Sequence, residues 1–238
     1  MRGEFLALRQ AAEHVHVEAN ELKHVAQRGE IDAVVRGGEW YFDHAALDEW
    51  AQRHLLSSGE KGIAEQHKSM TERRRRERRG ELGVAALMSE AAVDVAMAAK
   101  AKAGIVRDMT DLAEATGLVY DAEGLFRGVM EREEAASTAI GAGAAFLHPK
   151  FHDPYMFEES FVAYGRSERP IFFGAPDGAG TRHFFLICST DHEQHLHILA
   201  RLAVLAHGTD LLERLDAAED AEAVLAAVRE CEEAFVQA

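Results

Sequence analysis

The stretch from residue 57 to residue 80 is the part of this chain that no hydrophobic core can absorb. It opens Ser57-Ser58-Gly59-Glu60-Lys61-Gly62 and closes Arg73-Arg74-Arg75-Arg76-Glu77-Arg78-Arg79-Gly80, with few apolar residues between. Serine and glycine leave the backbone free, and clustered guanidinium groups repel one another and hold water. The segment is therefore expected to be a basic linker, with helical character around the arginines. It divides the chain into bodies of residues 1–56 and 81–238, a division that a length of 238 residues invites, since domains typically hold about 100–200. Charge follows the same division: 6 basic and 10 acidic side chains before the linker, 8 and 4 within it, 12 and 27 after it. A basic island between acidic bodies either neutralises nucleic-acid phosphates or remains a solvated connector.

Composition narrows the class. With 47% hydrophobic and 28% charged residues the chain can build a sizeable core, which excludes a disordered protein. No apolar run of about 18 residues is present, so no membrane insertion is expected, and the N-terminus has no apolar signal segment. Cys188 and Cys231 lie far apart without metal or redox spacing, which suits a reducing cytoplasm and buried, incidental thiols. No cofactor and no metal site is expected. No internal repeat and no heptad run is present.

In the first body Leu8, Ala11, Ala12 and Val15 recur at helical spacing, and Leu22, Val25 and Ala26 do so after a short break. β-Branched and aromatic residues then flank Gly37-Gly38 as a hairpin signal. Asp43 can cap a last helix bearing Leu47 and Trp50 on one side. This order, with Ala11-Ala12, Arg28-Gly29-Glu30-Ile31, Gly37-Gly38-Glu39-Trp40-Tyr41-Phe42 and Leu47-Asp48-Glu49-Trp50, resembles the excisionase-like, MerR-type winged helix-turn-helix family over about residues 5–54. The resemblance implies DNA as a partner, through Lys23, Arg28 and Arg36. Departures stand beside it: Glu18 and Glu21 flank Asn20 at the start of the second helix, and Glu39 precedes Trp40 in the wing. Carboxylates facing a polyanion are repelled.

The second body mixes element types. Residues 91–98 are strand-capable, Ile105, Met109, Leu112 and Ala113 form a helical stripe, and residues 122–136 repeat the helical pattern. Apolar stretches at 144–147, 160–164 and 183–189 have strand character, and helices are expected near 193–207 and 221–235. The fold class is α/β, a mixed sheet flanked by helices.

The chemistry concentrates in Ser137-Thr138-Ala139-Ile140-Gly141-Ala142-Gly143-Ala144-Ala145-Phe146-Leu147-His148-Pro149-Lys150 and in Glu193-Gln194-His195-Leu196-His197-Ile198-Leu199-Ala200-Arg201-Leu202-Ala203. Together they resemble the phosphorylation motif and the downstream histidine helix of the enzyme IIA domains of the fructose, mannitol and nitrogen class of the phosphotransferase system, over about residues 82–235. The resemblance implies that His148 accepts a phosphoryl group, that His195 and the Thr138 hydroxyl contact its oxygens, and that Lys150 adds positive charge. A histidine nucleophile attacks through a neutral ring nitrogen while a hydrogen bond at the other fixes its tautomer. The two rings are expected opposite one another in a shared, solvent-open hollow. Gly141 and Gly143 provide either a turn or a close backbone approach to the site. His195 and His197, two apart on a helix, point apart and cannot easily share an ion, which leaves His197 at an exposed position. His152, His183 and His192 are assigned no role, a place at the edge of the site being the lesser alternative for His192, one helical turn before His195. Leu147 replaces the proline that usually precedes the histidine, which frees an N–H and relaxes φ at the approach.

Three functions follow. One is a phosphotransferase-linked regulator that takes phosphate from HPr or a paralogue and couples it to the helix-turn-helix module. A second is a phosphocarrier enzyme IIA component that passes phosphate to a IIB domain of a sugar permease. The third is a DNA-binding protein with a degenerate, unphosphorylated IIA domain. A homodimer is compatible with the winged-helix resemblance.

Overall fold

Two adjacent glycines, Gly37 at φ 60 and Gly38 at φ 87, bend the N-terminal hairpin in the computed structural model, which describes residues 5–15, 17–57, 83–151 and 155–237. A two-residue hairpin turn of this kind needs positive φ at both central positions, which glycine adopts without a Cβ clash. The elements here are β1 (Phe5–Ala7), α1 (Leu8–His14), α2 (Ala19–Gln27), β2 (Ala33–Arg36), β3 (Glu39–Asp43) and α3 (His44–Ser57). The expected order of two short helices, a hairpin and a third helix is the order observed. It gains β1, which pairs antiparallel with β3 and completes a sheet of order β1-β3-β2. Asp43 caps α3 as anticipated, its Oδ1 accepting from the N–H groups of Ala45 and Ala46 at 3.1 and 3.2 Å. Ala11, Ala12, Val15, Leu22, Val25, Phe42, Leu47 and Trp50 form the core of this unit.

The chain divides into units Met1–Gly80 and Glu81–Ala238. Of the expected linker, residues 58–80 lie outside the described part of the chain. In the second unit β4 (Val93–Met97), α4 (Lys102–Ala115) and α5 (Ala122–Ala135) come first. They are followed by β5 (Ala139–Gly141), β6 (Ala144–Leu147), β7 (Phe161–Ile171), β8 (Thr181–Cys188), α6 (His192–Gly208), α7 (Leu211–Ala217) and α8 (Ala221–Gln237). The sheet runs β4-β7-β8-β6-β5 and is mixed, with β4 and β7 parallel, β7 and β8 antiparallel, β8 and β6 parallel, and β6 and β5 antiparallel.

Period-two alternation assigns the faces of this sheet. Ala145, Leu147, Ala163, Phe184, Leu186 and Cys188 share one core with Ile105, Val106 and Met109 of α4 and with Leu125 and Val129 of α5. Phe146, Val162, Tyr164, Phe185 and Ile187 alternate with them and are also buried, and α6 packs against β6 and β8. Every position from Ala144 to His148 is therefore covered on both faces. Strand β6 runs uninterrupted through Leu147, in register with Leu186, so a leucine in place of the usual proline leaves the approach to His148 as extended, sheet-held backbone.

Candidate functional site

The site lies just beyond the carboxyl end of β6, where open α/β sheets commonly place their ligands. His148 follows the last residue of that strand and is fully buried. Asp191 positions the second imidazole. Its carboxylate accepts from the N–H groups of Glu193 and Gln194 at 2.8 and 3.4 Å and fixes the start of α6, so that His195 stands in the first turn of a 17-residue helix. The rings of His148 and His195 meet edge to face with centroids 4.9 Å apart. His192 lies at the periphery, its ring centroid 6.4 Å from that of His195.

Two hydrogen bonds define the chemistry of His148. Its Nδ1 lies 2.8 Å from the carbonyl oxygen of Phe146. A carbonyl only accepts, so the ring proton sits on Nδ1 and the lone pair on Nε2. Arg132, in the last turn of α5, donates from Nε to that Nε2 at 3.2 Å, and from Nη1 to the carbonyl of Ala136 at 2.7 Å. Burial pulls the imidazole pKa down to about 3, and the neighbouring Arg132 charge pushes the same way, against the Phe146 hydrogen bond. The ring is neutral over the physiological range and holds a directed lone pair.

Glu133, next to Arg132, is also buried and organises the segment before β5. Its carboxylate accepts from the Thr138 N–H at 3.0 Å, from the Thr138 hydroxyl, and from Lys102 Nζ at 2.8 Å. The hydroxyl of Thr138 is thus directed at Glu133 and braces that segment. Lys150 is exposed, with Nζ 5.3 Å from the centre of the Phe151 ring.

Two sequence expectations need correction, and one open alternative is decided. The two imidazoles do share a site, but not an open one, since His148 is 0% and His195 5% exposed. His197 is buried rather than exposed, because α6 is enclosed all round from His195 to Ala206. The glycines form a turn: Gly141 and Gly143 have φ 81 and 85 around Ala142 at φ 51, joining β5 to β6. That turn is at the opposite end of β6 from His148, roughly 15 Å away along the strand. The N–H of Ala142 is taken by the Asp177 carboxylate at 3.2 Å, so no phosphate cradle forms there.

Arg132 and Glu133 escaped the sequence reading. They sit in Glu131-Arg132-Glu133-Glu134, and such a run reads as a solvated helix face. Their one signal was position, immediately before the motif of residues 137–150.

The three basic residues expected at DNA fall on α2 and β2. Lys23 is half-buried on α2, Arg28 caps the end of α2 and pairs with Glu30, and Arg36 ends β2 with its guanidinium 5.3 Å over the Phe5 ring. Glu18, Asn20, Glu21 and Glu39 are exposed.

An imidazole pair beside a buried arginine on a mixed, helix-flanked sheet defines a class, and the comparisons agree with it. Residues 86–231 match the family described as "Phosphoenolpyruvate-dependent sugar phosphotransferase system, EIIA 2". The match covers more than half of the chain, and the chain belongs to this family. A protein named "Nitrogen regulatory protein" from Bradyrhizobium diazoefficiens is 33% identical over 114 residues, 47% of this chain and 71% of its own length. The "PTS system fructose-specific EIIA component" of Haloferax volcanii is 31% identical over 125 residues, 52% of this chain and 79% of its own length. In fold, the crystal structure of "Nitrogen Regulatory Protein IIA-Ntr" from Neisseria meningitidis aligns with a TM-score of 0.56 at 22% identity, covering 61% of this chain and 98% of its own. Among the described residues no helix is long and apolar enough to cross a membrane.

Proposed function

We propose that the protein is a cytoplasmic, phosphotransferase-linked regulator that accepts a phosphoryl group on Nε2 of His148 from HPr or a paralogue. The observation that carries this reading is the neutral His148 ring, with its Nδ1 proton tied to Phe146 and its Nε2 facing Arg132 beside His195. In the transfer, the bond from phosphorus to the donor's histidine nitrogen breaks as the bond to Nε2 forms, and His148 keeps its Nδ1 proton. Little is required beyond in-line placement and donors for the equatorial oxygens. Arg132 must leave the lone pair for this to happen, and its guanidinium then lies beside the incoming oxygens. His195 and the positive end of α6 add to the same field. Because both rings are buried, uptake also requires the cover over them to open. Exposed Phe151 and Tyr155, close in sequence to the nucleophile, offer apolar surface to a docking carrier.

The N-terminal unit, with its winged helix-turn-helix resemblance, reads out the phosphorylation state. Coupling is the natural role for a second unit on such a domain, and the relative named as a nitrogen regulatory protein favours regulation. Exposed Glu18, Glu21 and Glu39 weigh against tight DNA binding by this unit alone. Any DNA contact then draws on Lys23, Arg28, Arg36 and the arginines of residues 73–79. A second reading, a phosphocarrier that passes the group to a IIB domain, is favoured by the similarity to a fructose-specific EIIA component.

Incubation with phosphoenolpyruvate, enzyme I and HPr, followed by intact mass measurement, tests the proposal. The wild type gains one phosphoryl group and His148→Ala gains none. A wild type that stays unmodified, or an alanine variant that is still modified, refutes it. Removal of the group by an added IIB protein would move the assignment to the carrier reading.

A further inference from the structure

Two imidazoles and a carboxylate converge in the N-terminal unit, away in sequence from everything the phosphoryl chemistry uses. His44 and Asp48 stand four residues apart at the start of α3, so their side chains share one face of that helix. His14, in the last turn of α1, reaches the same place: its Nε2 lies 2.7 Å from Asp48 Oδ1, and His44 Nδ1 lies 3.4 Å from Asp48 Oδ2. The two imidazole centroids are 4.3 Å apart with planes inclined by 52°. One donor atom from each residue lies within 4.8 Å of the other two. The side chains of His14 and Asp48 are 18% and 17% exposed and that of His44 is 37%, so the cluster has a sheltered floor and a side open to water.

These spacings are close to those of an assembled ligand set. A tetrahedral ion with bonds of about 2.0–2.1 Å holds its ligands about 3.4 Å apart, so each donor needs to move by about an ångström or less. The donor types select the ion. Calcium and magnesium take oxygen ligands, whereas two neutral imidazoles with one carboxylate suit zinc and its neighbours, with water in the fourth position. We propose that His14, His44 and Asp48 bind one divalent transition ion of the zinc class. The ion ties the end of α1 to the start of α3 and closes the loop of residues 14–44, which contains α2 and the β2–β3 hairpin. The site revises the expectation of a chain without metal, and it stands or falls independently of phosphorylation at His148.

The test uses the full chain, stripped with a chelator and titrated with zinc chloride by calorimetry, with cobalt(II) absorption as a second readout. Because the chain has 13 histidines, the same titration is run on His148→Ala/His195→Ala. One equivalent should bind to the wild type and to that double variant. In His44→Ala and His14→Ala the affinity should fall by roughly tenfold or more. Cobalt(II) should give the intense visible bands of a four-coordinate site in the wild type and lose them in His44→Ala. His44 is the most exposed of the three ligands, so its variant retains the fold, and zinc should raise the melting temperature of the wild type but not of His44→Ala. Absence of stoichiometric uptake, or uptake unchanged in both His14→Ala and His44→Ala, overturns the proposal and leaves an ion pair only.

Discussion

Replacing His148 by glutamine should flatten the acid sensitivity of the fold by an amount the structure sets. In the folded chain the imidazole pKa is held at about 3 by burial and by Arg132, against an ordinary value of 6.5. The folded state therefore resists the proton that the unfolded chain readily takes. The stability this group contributes is complete above pH 6.5 and is lost as pH falls from 6.5 toward 3. Each pKa unit corresponds to 1.36 kcal/mol, so lowering the pH from 7 to 5 should cost the wild type about 2 kcal/mol from His148 alone. His183 is also buried and held down, to about 4, and adds its own acid loss. That contribution is common to both proteins and cancels in the difference. Urea unfolding of wild type and His148→Gln at pH 7 and pH 5 gives the four free energies required. The wild type should lose about 2 kcal/mol more than the variant over that interval. Equal losses would mean that His148 is not held neutral by its surroundings, and the account of a directed Nε2 lone pair would fail with it.

Arg132→Gln should slow phosphoryl uptake by about a hundredfold, as loss of one preorganised donor to a charged oxygen does, with near-native circular dichroism. The rate of mass gain in the HPr assay measures it. Glu232→Ala removes a carboxylate shared by the N–H groups of Val84 and Ala85, at 2.7 and 2.9 Å, and by Arg201 Nε at 3.1 Å. It should destabilise by about 3–5 kcal/mol, the range for breaking a buried ion pair, read from the urea midpoint. Ala142→Gly should raise stability by about 1 kcal/mol or a little less, because alanine at φ 51 pays the left-handed steric cost that glycine avoids. Thermal melts suffice to see it.

The candidate site was legible where a residue's role is carried by its neighbours in sequence. His148 and His195 come from separate motifs, and the structure brings their rings to 4.9 Å. Asp43 announced the start of α3 because a carboxylate before a helical stripe is a cap. Arg132 was not legible, since helical periodicity cannot tell a solvated arginine from one turned inward at the end of a strand. His197 was misjudged for a related reason. An amphipathic reading assigns a wet side to every helix, and α6 is buried from His195 to Ala206. β1, β5 and α7, of three, three and seven residues, are too short to carry a periodic signal and owe their form to the partners they meet. The His14, His44 and Asp48 cluster joins α1 to α3 across α2 and the β2–β3 hairpin: the spacing of His44 and Asp48 is local, but the approach of His14 is tertiary and no spacing encodes it.

The outer strand β5 has a consequence for how the molecule behaves among its own copies. It offers only three residues to a would-be neighbour. At its end the Asp177 carboxylate stands where a Cβ on Gly141 would be 3.0 Å from Oδ2, and it occupies the amide of Ala142. Stacking another sheet onto this border would force that anion out of water, so a short rim guarded by a negative charge keeps a chain rich in exposed acid groups from propagating ribbon-like aggregates.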